Sequence, residues 1–291
     1  MAWVALGSGK VACIQVRKNL FFHFSAKLGH AQGSAYQRQN GGPRRPTFAR
    51  MNLRTRATTP ELMDDLRLAT EELRQNLDEL ETVNTWLGGY RPVLAALARL
   101  RPRFPAGRPL RLADLGSGGG DTLRRIAAWA RRQRVPVALV GIDANAFMLD
   151  YAAAKSRAYP EISYAQLDIF SSEFAAQPYD VLTASLFCHH FTDAELVALL
   201  RRWQQQAQVA VVINDLHRHP LAYYSIKYLT RLLGGSRLVQ HDAPLSVARA
   251  FSRADWQRLL AEAGILHYTL RWCWAFRWQL VIDTCPRVNN G

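Results

Sequence analysis

The chain has 291 residues, 49% of them hydrophobic, and a formal net charge of +14. That is enough apolar material for one large domain plus an extension, and no apolar run approaches the roughly 20 residues a membrane-spanning helix needs. The four cysteines, Cys13, Cys188, Cys273 and Cys285, are scattered, which argues against a disulfide framework or metal cluster and for a reducing, cytoplasmic setting.

The positive charge is unevenly placed. Residues 1–50 hold eight Lys and Arg and no acid, so the remaining 241 residues carry only +6. Much of that surplus sits in pairs such as Arg124-Arg125 and Arg201-Arg202, on the solvent faces of expected helices. A nucleic-acid partner is therefore not expected. Residues 1–50 lack sustained periodicity and fit a disordered basic extension, an acid-poor targeting peptide, or a start assigned upstream of Met51. Disorder or a mis-assigned start is favoured, because no clean apolar signal stretch is present.

Residues 51–109 are expected to form a helical cap. A helix is expected from Thr59-Pro60-Glu61, with Thr59 as cap and Leu62, Leu66, Leu73, Leu77, Leu80 and Val83 as its apolar stripe. Gly88-Gly89 ends it, and a second helix covers Tyr90–Leu100. From residue 110 to 291, short β-rich runs alternate with longer helical patterns. Strands are expected at Leu110–Leu115, Val137–Asp143, Ile162–Leu167, Tyr179–Ser185 and Val209–Leu216. Helices are expected at Thr122–Gln133, Ala146–Ala158 and Asp193–Gln206. This pattern gives an α/β, doubly wound, mainly parallel sheet. A helical insertion at about 219–250, beginning with a helix over Pro220–Leu233, reads as a lid. A helix over Arg253–Ala263 follows, and strands Leu266–Trp274 and Phe276–Asp283 close the chain as an antiparallel hairpin.

Three carboxylates end three successive strands. Asp114 precedes Gly116, Ser117, Gly118, Gly119 and Gly120, a tight strand-to-helix turn that opens backbone to a nucleotide-like ligand. A dinucleotide fingerprint would place its third glycine where Asp121 stands. A carboxylate there repels a diphosphate but suits a ligand carrying an ammonium group. Asp143 is placed to accept from ribose hydroxyls, and Asp168 from an adenine amino group. Met148, in the helix after Asp143, lies against the base or in the core. After the fourth strand, His189 and His190 face the same edge. Either could take a proton from an acceptor, His189 slightly ahead, or merely pack and cap. His217, Arg218 and His219 follow the fifth strand. No Cys or carboxylate joins these last histidines at ligand spacing, so no metal is expected.

DLGSGGG (114–120), GIDAN (141–145), QLDIF (166–170), SLFCHHFTDAEL (185–196) and the closing hairpin together resemble the class I S-adenosylmethionine (SAM)-dependent methyltransferases. The stretches NTWLGGYRPVL (84–94) and NDLHRHPLAYYSIKYL (214–229) are similar to bacterial small-molecule O-methyltransferases of polyketide and quinone pathways. The resemblance implies a seven-stranded Rossmann-like sheet with its last strand reversed. It implies SAM as cofactor, held by Asp114, Gly116, Ser117, Gly118, Gly120, Asp143, Ala144, Met148, Asp168, Ile169 and Ser185. From their place after the fourth and fifth strands, His189, His190 and His217 are the catalytic candidates. Arg218, Tyr223, Tyr224 and Lys227 are the candidates for a small-molecule acceptor. The box that marks amino-group DNA methylases is replaced by Ser185-Leu186-Phe187-Cys188.

The expected activity is O-methylation of a small hydrophobic or aromatic metabolite, in secondary metabolism, with a homodimer as the candidate assembly. N- or C-methylation and a non-catalytic SAM-fold binding protein are the rivals. An RNA methyltransferase is third, and a nicotinamide dehydrogenase is disfavoured by Asp114 and Asp121.

Overall fold

The computed structural model describes residues 52–65, 69–232 and 234–284. The basic extension, Met51, Leu66, Leu233, Cys13 and Cys285 lie outside the described residues. Seven strands form one sheet: β1 (Leu110–Leu115), β2 (Val137–Asp143), β3 (Ile162–Gln166), β4 (Tyr179–Ser185), β5 (Ala207–Leu216), β6 (Tyr268–Cys273) and β7 (Arg277–Asp283). Their order is β3-β2-β1-β4-β5-β7-β6. The first five are parallel, and β7 runs antiparallel to both β5 and β6. The doubly wound sheet with a reversed last strand is therefore observed.

Helices cover both faces: α1 (Glu71–Trp86), α2 (Arg91–Leu100), α3 (Asp121–Gln133), α4 (Ala146–Lys155), the single turn α5 (Ser172–Ala175), α6 (Asp193–Gln206), α7 (Pro220–Leu232), α8 (Arg237–Arg249) and α9 (Arg253–Glu262). Alternation along the strands divides the core in two. Ala113, Leu115, Val211 and Ile213 pack with Leu196, Trp203, Trp256 and Leu260. Leu110, Leu112, Ala210 and Val212 pack with Val93, Leu97, Leu123 and Ile126 on the other face. β4 is buried along most of its length, as a central parallel strand between two helical layers must be.

Two expectations fail. The helix expected from Thr59–Pro60–Glu61 does not start there. A 3₁₀ turn spans Leu62–Asp64, and the helix proper starts at Glu71, where Thr70 Oγ1 accepts from the Leu73 N–H. The Asp242 carboxylate accepts from the N–H groups of Leu62 and Met63 at 2.9 and 3.0 Å. Those amides are thus held by a distant residue rather than by a continuing helix. Within the insertion at 219–250, α8 has no counterpart among the expected elements. Pro244 lies inside it, and an internal proline reads as a helix break. Smaller shifts are seen at several ends: α4 stops at Lys155 and β3 at Gln166, β5 starts already at Ala207, and β6 spans only Tyr268–Cys273.

Candidate active site

The glycine turn between β1 and α3 is held open by its backbone. Gly116 and Gly120 have φ of 63° and 72°, the left-handed region that glycine enters without strain. Side chains would not fit in either place. A Cβ on Gly116 would run into the Phe187 ring, and one on Gly120 into the Tyr164 hydroxyl. The Gly118 N–H donates to Asp143 Oδ2 at 3.0 Å, tying the turn to the end of β2. Asp114 is buried, and burial pushes its carboxyl up to about 7 although Thr183 Oγ1 donates to it at 2.6 Å. Burial likewise raises Asp143, against the N–H groups of Asn145, Gly118 and Ala144.

A cleft of about 100 Å³ opens at this turn. Asp114, Gly116, Ser117, Gly118 and Ser185 line it, as expected from the sequence, and α1, Tyr90, Asp121, Asn214 and Arg277 close it. Tyr90 donates to Asp121 Oδ2 at 2.7 Å, and Arg277 Nη2 donates to Asn84 Oδ1 at 2.7 Å. Several buried atoms on this lining have no partner: Ser117 Oγ, Ser185 Oγ, Asn214 Oδ1, and Arg277 Nε and Nη1. Buried polar groups are almost always paired, so their convergence marks a site built for a polar ligand. Leu186, also on the lining, holds φ of 53°, the kind of backbone strain that collects at functional sites.

This lining fits the amino-acid end of SAM. Arg277 offers two free donors for a carboxylate, while Asp114 and Asp121 suit an ammonium group. The cleft is smaller than the roughly 300–1,000 Å³ of ordinary ligand pockets, because Met63, Leu77 and Leu80 lie across it. A larger groove of about 550 Å³ runs along β3 and α4 and includes neither the glycine turn nor the histidine pair.

Other expected cofactor residues lie apart from the cleft. Gly120 caps α3. Met148 is buried against Leu73 and Leu77, and Ile169 is in the core. Ala144 is exposed, with its carbonyl accepting from Gln166 at 3.0 Å. Asp168 is exposed and accepts from the Phe170 N–H at 2.8 Å, an intraloop contact.

The histidine pair sits on the 3₁₀ turn Cys188–His190 after β4. Arg56 and Arg249 clamp this turn through the carbonyls of His189, His190 and Phe191. His189 is 2% exposed. Its Nδ1 lies 2.7 Å from Asp215 Oδ1, and its Nε2 lies 3.5 Å from Glu61 Oε1. Burial pushes Asp215 up, but the charge and hydrogen bond of His189 overcome it and hold the carboxyl below the usual range. Nδ1 is therefore the donor to an ionised carboxylate. His190 is the more open ring, its side chain 19% exposed, with Nδ1 2.5 Å from Asp64 Oδ1. Burial raises Asp64, but the hydrogen bond and charge of His190, with help from Arg249, bring it down to about 2. The order of the pair is thus the reverse of that expected. The ring given priority is enclosed between two carboxylates, and its neighbour is the accessible one.

The remaining candidates lie elsewhere. His217 accepts from Trp272 Nε1 at 3.2 Å and packs on Trp278, His219 and Phe276. Burial, then the charges of His219, Arg218 and Arg253, lower its pKa to about 4, which makes it a weak base. Arg218 is buried and serves as a brace. It donates to the carbonyls of Leu53, Arg54 and Ala250 and to Asp255, so no donor face is left for an acceptor. Tyr223 packs with Val247 and Ala248 in the α7–α8 core, and Tyr224 and Lys227 lie on it. Sequence reasoning singled out Asp121 in the turn but missed Tyr90, Asn214 and Arg277 as cleft residues. Tyr90 and Asn214 do fall in the stretches NTWLGGYRPVL and NDLHRHPLAYYSIKYL, whereas nothing local distinguishes Arg277 from other strand arginines.

Residues 112–209 match a family described as a methyltransferase domain. An uncharacterised methyltransferase of Bacillus subtilis (strain 168), YcgJ, is 20% identical over 185 residues, 62% of this chain and 65% of that one. The chain thus spans just under two thirds of that relative's length. Among solved structures, the plantazolicin methyltransferase BpumL, in complex with a triazolic desmethylPZN analogue and SAH, matches with a TM-score of 0.55 at 17% identity. That match covers 74% of this chain and 90% of that one. Human N-acetylserotonin methyltransferase in complex with SAM matches with a TM-score of 0.53 at 18% identity, over 75% and 56%. These structures share the fold.

Proposed function

Starting from a chain whose residues 112–209 match a methyltransferase-domain family, we propose that it is a class I, SAM-dependent enzyme that methylates a hydroxyl oxygen of a small hydrophobic or aromatic acceptor. The observation that supports an oxygen acceptor is the His190–Asp64 dyad, set at the strand ends where the glycine turn also lies. SAM, when bound, supplies its sulfonium methyl as the electrophile. Arg277, Asp114 and Asp121 bind its amino-acid end, the Gly116–Gly120 turn lies along it, and Asp143 takes the ribose. A phenol, with a pKa of about 10, is mostly protonated at neutral pH. His190 Nε2 removes that proton, while Asp64 fixes the ring and stabilises its charged form. α1 and the 62–64 turn exclude water from the cleft, and α7 and α8 form the lid over the acceptor side.

The test is methyl transfer from SAM to a panel of phenols and alcohols, with the product's methyl position determined by NMR. His190→Ala is expected to lower kcat by about 10²–10⁴-fold, with the SAM Kd unchanged. A methyl found on nitrogen or carbon, with kcat within about tenfold of wild type, would replace the oxygen reading with its rival. Failure of wild type to bind SAM in calorimetry would support a non-catalytic binding protein instead.

A further inference from the structure

The histidine turn holds a second arrangement that proton transfer does not require. Nδ1 of His189 is committed to Asp215 and Nδ1 of His190 to Asp64, so each ring keeps Nε2 as its free nitrogen. Carboxylates that hold the far nitrogen of an imidazole are the usual support of a metal-binding histidine, fixing its tautomer and orientation. Glu61 completes the group. One nitrogen of each histidine and one Glu61 oxygen lie within 4.8 Å of one another. Glu61 is 4% exposed, and its Oε1 has no hydrogen-bond partner.

The 3.5 Å between His189 Nε2 and Glu61 Oε1 is longer than a good hydrogen bond. It is close to the edge of about 3.4 Å expected between two ligands each about 2.1 Å from a tetrahedral ion.

We propose that Glu61, His189 and His190 form a binding site for a divalent transition-metal ion. Two imidazoles and one carboxylate are a donor set suited to Zn²⁺, and to Co²⁺ in its place. The three protein ligands leave a coordination position for water or an acceptor oxygen. The sequence hid this site because Glu61 lies far from the pair along the chain and is brought to it by the N-terminal segment. The inference goes beyond the methyl-transfer reading and touches it only at His190, which becomes a ligand rather than a free base when the ion is bound.

The experiment is Co²⁺ titration of the chelator-treated full chain, read by ligand-field absorption and by metal analysis after dialysis. Wild type is expected to take up Co²⁺ stoichiometrically with a tetrahedral-type spectrum, displaced by Zn²⁺, and its melting temperature should rise with the ion. Glu61→Gln and His190→Asn should each lose the spectrum and the retained metal. SAM calorimetry on the same preparations reports folding. No uptake by wild type overturns the proposal. So does uptake unchanged in both variants, which would assign the metal elsewhere in the chain. Should Glu61→Gln not fold, His190→Asn and the wild-type spectrum still decide. A wild type that binds Co²⁺ but not SAM would sink the methyl-transfer reading and leave this one standing.

Discussion

Arg249 and Arg277 are both buried, yet their surroundings differ in kind. Every nitrogen of Arg249 is engaged: Nε donates to the His189 carbonyl, Nη1 to Thr59 and Asp64, and Nη2 to His190. Arg277 has one side-chain acceptor, Asn84, and leaves Nε and Nη1 bare beside the equally bare Ser117 Oγ, Ser185 Oγ and Asn214 Oδ1. A saturated network stabilises the fold. An unsaturated one stores binding capacity, because desolvated donors regain full value only when a ligand arrives. The difference marks the glycine-turn cleft as the side of the molecule with unused polar groups and the arginine clamp as the scaffold of the histidine turn.

The strongest way to break this contrast is to delete each arginine. Arg249→Met should destabilise the protein by about 3–5 kcal/mol, since it takes the charged donor from Asp64 and the side-chain donor from the Thr59 and His190 carbonyls, at about 1–3 kcal/mol for each group left unsatisfied. Urea denaturation measures this. If Arg277→Met proves equally destabilising, the two arginines play the same role and the contrast fails.

A pH series sharpens the cleft side. Asp114 has its folded pKa raised to about 7 from 3.8 by burial. Its contribution to stability is therefore fully present below about pH 4 and is lost as pH rises toward 7. Asp114→Asn, which cannot ionise, should escape that loss. Its stability relative to wild type should rise by about 2–4 kcal/mol across the window. A flat difference would mean that Asp114 is not desolvated as the structure has it.

Arg277→Met should weaken SAM binding by about 10–100-fold through the lost charge-assisted hydrogen bonds, while thermal stability stays near wild type. An unchanged SAM Kd would remove Arg277 from the site. The smallest expected effect belongs to the turn itself. Gly116→Ala should lose about 1–3 kcal/mol of stability from its left-handed backbone. The clash with Phe187 adds to this, and Phe187→Ala should relieve that part, so the double variant loses less than the sum of the single ones.

Legibility in the sequence followed the range of the interactions. β1, β2, β4 and α6 match their expected bounds to the residue, because alternation, apolar runs and the Thr192 capping box are local signals. The start of α1 did not: the segment at Leu62–Met63 is tied to Asp242, far along the chain, and the helix is capped instead by Thr70. The cleft was half legible: the glycine turn announces itself, while Arg277 arrives from the last strand only when β7 pairs with β5. Arg218 shows the converse error, a basic residue at the ligand edge that the fold uses entirely as a brace.

By itself, the sequence determined the sheet, its reversed last strand and the nature of the cofactor, since strand period and glycine spacing act over a few residues. Only the tertiary structure decided which histidine is open and which is enclosed, and that Glu61 and Asp64 join them. Those outcomes depend on carboxylates from the N-terminal segment and from β5 meeting one turn. Long-range desolvation and charge pairing leave no periodic trace in the chain.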